Sequence, residues 1–473
     1  MFGSEGCSVN SALFFIICFL LGVLAWNVVS LIFALILVKT QGRKWIKNGI
    51  NKFLKRVLSD RYDENVAELW SATRRINLQN ILELSLRAET GGVIERPLGT
   101  PKHFKHFDGL MFIPAQMHTL PLEPQTPVDM KITLGVKAER PLKIDVPLLI
   151  GGMGYGVALS EEARVALAKG AKRLGTALNS GEGPFLPEEQ NAAGAYIWQI
   201  GHGAWSLDSN AIAKSQMVEI HVGQGARIGG EILSPDKIKG RARQLMGISP
   251  VESAVIHASL PGIKSPNDWR PYVADLRKQL GGKPIGVKLM GSPQLEKELA
   301  IAMEAGFDVI SIDGSQGGTS GSAPILQDDF GWPTLHSLIQ TRDFLLREGV
   351  KDKISLVIGG GFFSPGECLK AIALGADAVS LGTVPLYALV HAQIEKVMPW
   401  EPLTQLVYYN ADFKKKLNID QAAQNVYNVI NAMVKEMEEA LRALGKASLQ
   451  ELSVNDLAAL DEWTATITGV KKY

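Results

Sequence analysis

The chain has 473 residues, 46% hydrophobic and 21% charged, with 49 basic against 48 acidic side chains. That balance excludes a disordered chain, a collagen and a global field that would draw nucleic acid. Three cysteines exclude a disulfide framework, and 47 glycines, many clustered after apolar runs, are the informative excess.

In chain order, residues 1–10 predict a short extracytoplasmic tail and 11–38 a transmembrane helix. The run carries no charge, and only Ser11, Asn27 and Ser30 are clearly polar. Such a helix would be roughly 40 Å long against a ~30 Å hydrocarbon core. A cleaved signal peptide is the competing reading, but the first ten residues carry Glu5 and no base, and the run is too long. Residues 39–58 form a basic juxtamembrane segment with Lys39, Arg43, Lys44, Lys47, Lys52, Lys55 and Arg56. The positive-inside rule then makes this a single-pass membrane protein with its catalytic domain on the cytoplasmic side.

Residues 59–144 read as an N-terminal lead-in packing on a barrel, helical from 69 to 87 and then broken by repeated Pro and Gly. From 145 to 390, short apolar runs end in Gly, Ser, Asn or Asp, and helix-like segments lie between them. Eight runs, VPLLIGG (146–152), TALNS (176–180), YIWQI (196–200), MVEIHV (217–222), PIGVKLM (284–290), DVISIDG (308–314), ISLVIGG (354–360) and AVSLGT (378–383), predict an α/β fold, a (β/α)8 TIM barrel. A ninth, SAVIHA (253–258), reads as part of an insertion. A doubly wound open sheet is the alternative, but here glycine-rich ends follow many strands and not the first alone. Residues 391–473 read as a C-terminal helical extension, with LQELSVNDLAAL continuing the helical spacing.

In such a barrel the chemistry sits at the C-terminal strand ends, and phosphate sits in the loops after the last two strands. Those loops hold Gly359, Gly360 and Gly361, then Gly382 and Thr383; Ser364 and Pro365 suit an N-cap and first helical position. Tight turns alone are the plainer reading. Lys288 lies inside an apolar strand, where an amine needs a partner such as the electron-rich edge of a flavin. The loop after Asp313, with Gly314, Gly317, Gly318 and Thr319, reads as facing a planar cofactor. GGMGYG brings Met153 and Gly154 to the same ligand. NSGEGP adds Ser180 and Glu182, and GQGARIGG adds Gln224 and Arg227. Glu182 and Arg227 read either as a salt bridge or, with Lys288, as the site of a small anionic substrate. No metal site is read.

The segments GGMGYG, LNSGEGP, GQGAR-GG, VKLM, IDGSQGGTSGSAP and VSLGTVPL occur in the order and spacing of the FMN-binding synthase domain of glutamate synthase. The resemblance runs from about residue 95 to the C-terminus and is closer to stand-alone, membrane-anchored members than to the large enzyme. It implies an FMN barrel passing a hydride between flavin N5 and an imino, oxo or amino acid. Met153 and Gly154 would then lie beside the flavin, and Lys288 would hold the isoalloxazine edge. The glycines at 359–361, with Gly382 and Thr383, would take the phosphate. Gln224 and Arg227 would face flavin or substrate carboxylate, and Glu182 the amine side. Two departures stand out. The cysteines that hold a 3Fe–4S cluster after strand eight are missing, since Cys368 is alone and lies before that strand. His221 and Arg227 stand where the family has lysines, and His221 reads as a general acid or as a hydrogen-bonded strand histidine. With no cluster and no dinucleotide fingerprint, the electron donor is an unidentified partner protein, a nicotinamide or a membrane quinone. The alternatives are another FMN barrel, hydroxy-acid oxidase-like or a flavin-dependent isomerase, and a non-catalytic flavin-binding membrane scaffold.

Overall fold

The structure, a computed structural model, describes residues 6–62, 65, 68–318, 321–393 and 402–473; the side chains of 6–13, 15–18, 32–38, 69 and 70 also lie outside the description. The chain divides into two units, Met1–Gly92 and Val93–Tyr473.

The first unit is helical: α1 (Gly6–Ser59), α2 (Glu68–Arg75) and α3 (Leu78–Thr90). Asn77 caps α3 by accepting from Gln79 N–H, and Gly91 ends it in the left-handed conformation, yet none of its residues is buried. Among the described residues no helix is long and apolar enough to cross a membrane. The expected transmembrane helix, and with it the single-pass localisation with a cytoplasmic catalytic side, is corrected on that finding.

The second unit is built on a closed barrel of eight parallel strands: β1 (Leu148–Ile150), β2 (Ala177–Asn179), β3 (Ala195–Ile200), β4 (Met217–His221), β5 (Ile285–Met290), β6 (Val309–Asp313), β7 (Ser355–Gly359) and β8 (Ala378–Leu381). Each of the eight predicted runs supplies one strand, and β8 pairs with β1 to close the ring. Outward residues such as Leu148, Leu178, Ile220, Ile310 and Leu356 are fully buried beneath the helices. Each such side chain contributes about 1.5–3 kcal/mol relative to exposure.

Local signals fix the helices. In α4 (Glu161–Leu174), Ser160 accepts from Ala163 N–H, acids open the first turn, and Gly175 closes it at φ 69°. Helices Trp269–Leu280 (α5), Leu295–Ala305 (α6) and Thr334–Arg347 (α7) follow. In α8 (Pro365–Ala373), Ser364 and Glu367 form a capping box with Pro365 in the first turn. Next come α9 (Thr383–Val390) and α10 (Ile419–Ala443). Helix α10 lies against α4, where a Cβ on Gly170 would meet Val426 Cγ1 at 2.9 Å.

The hairpin Ile132–Leu134 and Leu142–Ile144 closes the N-terminal end of the barrel, with Gly135 N–H donating to Ser355 Oγ at 3.0 Å. The ninth candidate strand pairs outside the barrel, Ala254–Ile256 against Glu231–Leu233, in the insertion between β4 and β5. The segment after α10 departs from the expected helix. It forms two short 3-10 turns and a strand, Leu457–Ala459, paired with Leu110–Phe112, before a last helix, Glu462–Thr468. Its capping serines break the helical run: Ser453 N–H donates to Asp456 Oδ2 at 2.7 Å.

Candidate active site

Alternation along the strands turns one residue in two toward the barrel axis. At the C-terminal end this produces a cavity of about 160 Å³ walled by residues from every strand. Leu149 and Gly151, Ile197 and Gln199, Met217 and Glu219, Lys288, Ser311 and Asp313, Val357 and Gly359, and Ser380 face it.

The loops after β1 and β2 interlock. A Cβ on Gly152 would meet Asn179 Oδ1 at 2.8 Å, and one on Gly154 would meet Gly183 N at 2.6 Å. Only glycine lets the two backbones come this close. Gly151, Gly152 and Gly154 therefore bring backbone to the cavity wall, with Met153 beside them. Ser180 is buried behind that wall, where its hydroxyl donates to Gly181 C=O and accepts from Gln199 N–H. Gly314 is likewise packed behind the wall, with Thr334 filling the space where its side chain would go.

At the end of β5, Lys288 Nζ donates to Gln224 Oε1 at 2.8 Å and lies 3.1 Å from Asp313 Oδ2. Burial alone would lower the ammonium, but Asp313 and Glu219 outweigh it and hold Lys288 above the usual lysine range. Gly317 and Gly318 continue the wall; Thr319 lies outside the described residues.

Gly359, Gly360, Gly361, Gly382 and Thr383 form the opposite side. Gly360 and Gly361 have φ of 108° and 78°, a conformation that other residues rarely adopt. Gly382 has an ordinary φ of −105°, and a Cβ there would meet nothing within 4 Å. Gln316 Oε1 accepts from Thr334 N–H and Oγ–H, which leaves its Nε2, at the cavity wall, buried without a partner.

The third side is charged. Arg227 Nη1 lies 3.4 Å from Glu182 Oε2, and its Nη2 lies 3.5 Å from Glu231. His221 is not in the wall. It stands behind Glu182, Nδ1 3.1 Å from Oε1, in ion-pair range but out of hydrogen-bond alignment, so both ring nitrogens are buried without a hydrogen-bond partner. Burial alone would raise the Glu182 carboxyl; the charges of His221 and Arg227 outweigh it and hold it well below the usual carboxylate range. The structure thus brings Met153, Gly154, Glu182, Gln224, Arg227, Lys288, Asp313 and the two glycine loops into one cavity. His202, missed in the sequence, packs beside His221 with ring centroids 6.0 Å apart; its Nδ1 lies 2.9 Å from His257 O. Cys368 is fully buried on α8, and desolvation pushes its thiol up, so it is no nucleophile.

Glu219, Asn179, Gln199 and Ser311 were also missed. Glu219 had a signal: it shares the parity of His221 in MVEIH, the inward face of β4. Leu386 and Tyr408 reach the wall from beyond β8, and no spacing rule announces them.

A model of the conserved region in glutamate synthase matches residues 89–447. The glutamate synthase large subunit-like protein of Rhizobium meliloti is 30% identical over 417 residues, covering 82% of this chain and 92% of its own. The archaeal glutamate synthase [NADPH] of Archaeoglobus fulgidus is 28% identical over 425 residues, covering 83% and 82%. Among solved structures, a mutant flavocytochrome b2 with pyruvate bound aligns at a TM-score of 0.49 and 19% identity, over 76% of this chain and 78% of that one.

Proposed function

Because the chain belongs to the glutamate synthase family, we propose that it is an FMN-dependent oxidoreductase that passes a hydride between flavin N5 and an imino, oxo or amino acid. One observation carries the reading. A lysine ammonium, two glycine loops and an arginine–glutamate pair stand on three sides of a single cavity. The residues fit the cofactor. Gly382 leaves open the space a side chain would fill, Gln316 Nε2 is an unused donor at the wall, and Lys288 supplies positive charge inside the barrel.

Bound there, FMN supplies reversible two-electron chemistry. Lys288 holds negative charge at the ring edge, and Met153 and Gly154 offer backbone to the ring. Gly360, Gly361, Gly382 and Thr383 hold the phosphate through backbone N–H groups. Arg227 orients the substrate carboxylate. Glu182, kept ionised by His221 and Arg227, takes the amine side. His221 stands 3.1 Å from Glu182 and buried from water, and so backs that carboxylate from behind. The donor is a partner protein or a nicotinamide, and NADPH is the first to try because it appears in the name of the Archaeoglobus relative.

The test is direct. Purified protein is titrated with FMN, then mixed without oxygen with glutamate and other amino acids while the flavin band is followed. Saturable uptake and bleaching by an amino acid are expected. Arg227→Met should retain the flavin and lose most of the bleaching. A protein that takes up no FMN overturns the reading. Turnover that consumes neither donor nor acceptor indicates an isomerase instead, and bound flavin without any turnover indicates a scaffold.

A further inference from the structure

Glu219 lies in the wall below the strand-end loops and has no role in holding substrate or phosphate. It is 5% exposed. Its Oε1 accepts from Asn179 Nδ2 on β2 at 2.7 Å and from Gln199 Nε2 on β3 at 2.8 Å. Its Oε2 accepts from Ser311 Oγ on β6 at 2.6 Å. All three partners donate, so an ionised carboxylate satisfies the network without a proton of its own. Three strands are thus tied to a single buried charge.

The register places that charge under Lys288. On paired strands β4 and β5, Lys288 lies beside His221 and Gly286 beside Glu219. Glu219 is therefore one inward layer deeper than the ammonium, and Gly286 adds no side chain beside it. Lys288 already has Asp313 at 3.1 Å. Two carboxylates face one ammonium in a site where water screens them little.

On the flavin reading above, Lys288 favours the reduced ring by holding the negative charge it gains, and each nearby carboxylate opposes that gain. We propose that Glu219 is a positioning residue that keeps the reduction potential of the bound flavin low, by offsetting the Lys288 ammonium from below.

The test compares wild type and Glu219→Gln, each loaded with FMN, by equilibration with a reference dye of known potential. Glutamine keeps the shape and removes the charge. The expected result is an increase of about tenfold in the ratio of reduced to oxidised flavin at a fixed dye potential. For a two-electron couple that is about 30 mV upward. An unchanged ratio with FMN still bound overturns the proposal, since a structural role would move stability and not potential. A lower ratio also overturns it and assigns Glu219 to keeping Lys288 charged. If Glu219→Gln does not fold, Ser311→Ala removes one donor and leaves the carboxylate less compensated. Its potential should then fall, and no change or a rise overturns the proposal. Failure of wild type to take up FMN defeats the flavin reading itself, at a step before any potential is read.

Discussion

Substituting Gly382 by aspartate tests the phosphate assignment with little disturbance of the fold. The backbone at 382 has φ −105°, open to any residue, and the new Cβ meets nothing within 4 Å. The apo-protein should therefore unfold at an unchanged denaturant midpoint. The carboxylate would enter the space assigned to a phosphate that carries −1.5 to −2 charges near neutral pH. Two like unit charges about 4 Å apart repel by about 1 kcal/mol in water and about 4 kcal/mol near a protein surface. A loss of about 2–4 kcal/mol follows, roughly 30- to 1,000-fold in Kd. The assay is quenching of flavin fluorescence on titration with FMN and, separately, with riboflavin, which lacks the phosphate. FMN affinity should fall by that factor while riboflavin affinity holds. If the two fall together, or neither falls, the phosphate is not held at this loop.

Two further outcomes concern stability. Arg164 donates to Glu189 and to Asn179 C=O with both side chains buried, so Arg164→Met strands a buried carboxylate and should cost about 3–5 kcal/mol, read as a lower urea midpoint at unchanged m-value. The carboxyls of Glu182 and Glu367 are depressed; for Glu367, the His106 ring 3.8 Å away and hydrogen bonds from Phe363 N–H and Ser364 N–H overcome burial and bring it to about 2. Depressed acids add stability that is complete above their unfolded values and is lost as pH falls through the folded ones. The apo-protein should weaken from about pH 4.5 toward about pH 2, and Glu367→Gln should flatten that decline; an unflattened decline refutes the assignment.

The barrel was legible because each strand is a short apolar run stopped by glycine or a small polar residue, from VPLLIGG to AVSLGT. Glycine clusters also marked the strand ends that meet in the cavity. What escaped was whatever depends on facing, not on composition. Ser180 and Gly314 belong to the glycine-rich motifs, yet the fold uses them for packing. Glu219 was overshadowed by His221, although the two share a parity. His202 enters from the loop after β3, and Tyr408 from beyond β8, contacts that only the closed ring creates. The segment after α10 carried helical spacing, but its serines satisfy backbone donors locally and stop the helix. The apolar run near the N-terminus was read from its length, its lack of charge and its basic flank, yet among the described residues no helix is long and apolar enough to cross a membrane.

The insertion between β4 and β5 carries its own small apolar nucleus. Leu233, Ile238, Ala242, Met246, Ala254 and Ile256 gather around Tyr155, Leu186, Trp205 and Tyr409, apart from the main core. A nucleus of this size can melt alone, at a fraction of the free energy needed to open the barrel. Amide hydrogens at Glu231–Leu233 and Ala254–Ile256 should then exchange faster than those of the barrel strands. Arg227 and Glu231 stand at the root of this hairpin, so the arginine end of the cavity borders a softer wall than the end lined by the Gly359–Gly361 and Gly382 loops. Sequence drift in the insertion can reshape that end of the cavity without disturbing the ring of strands beneath.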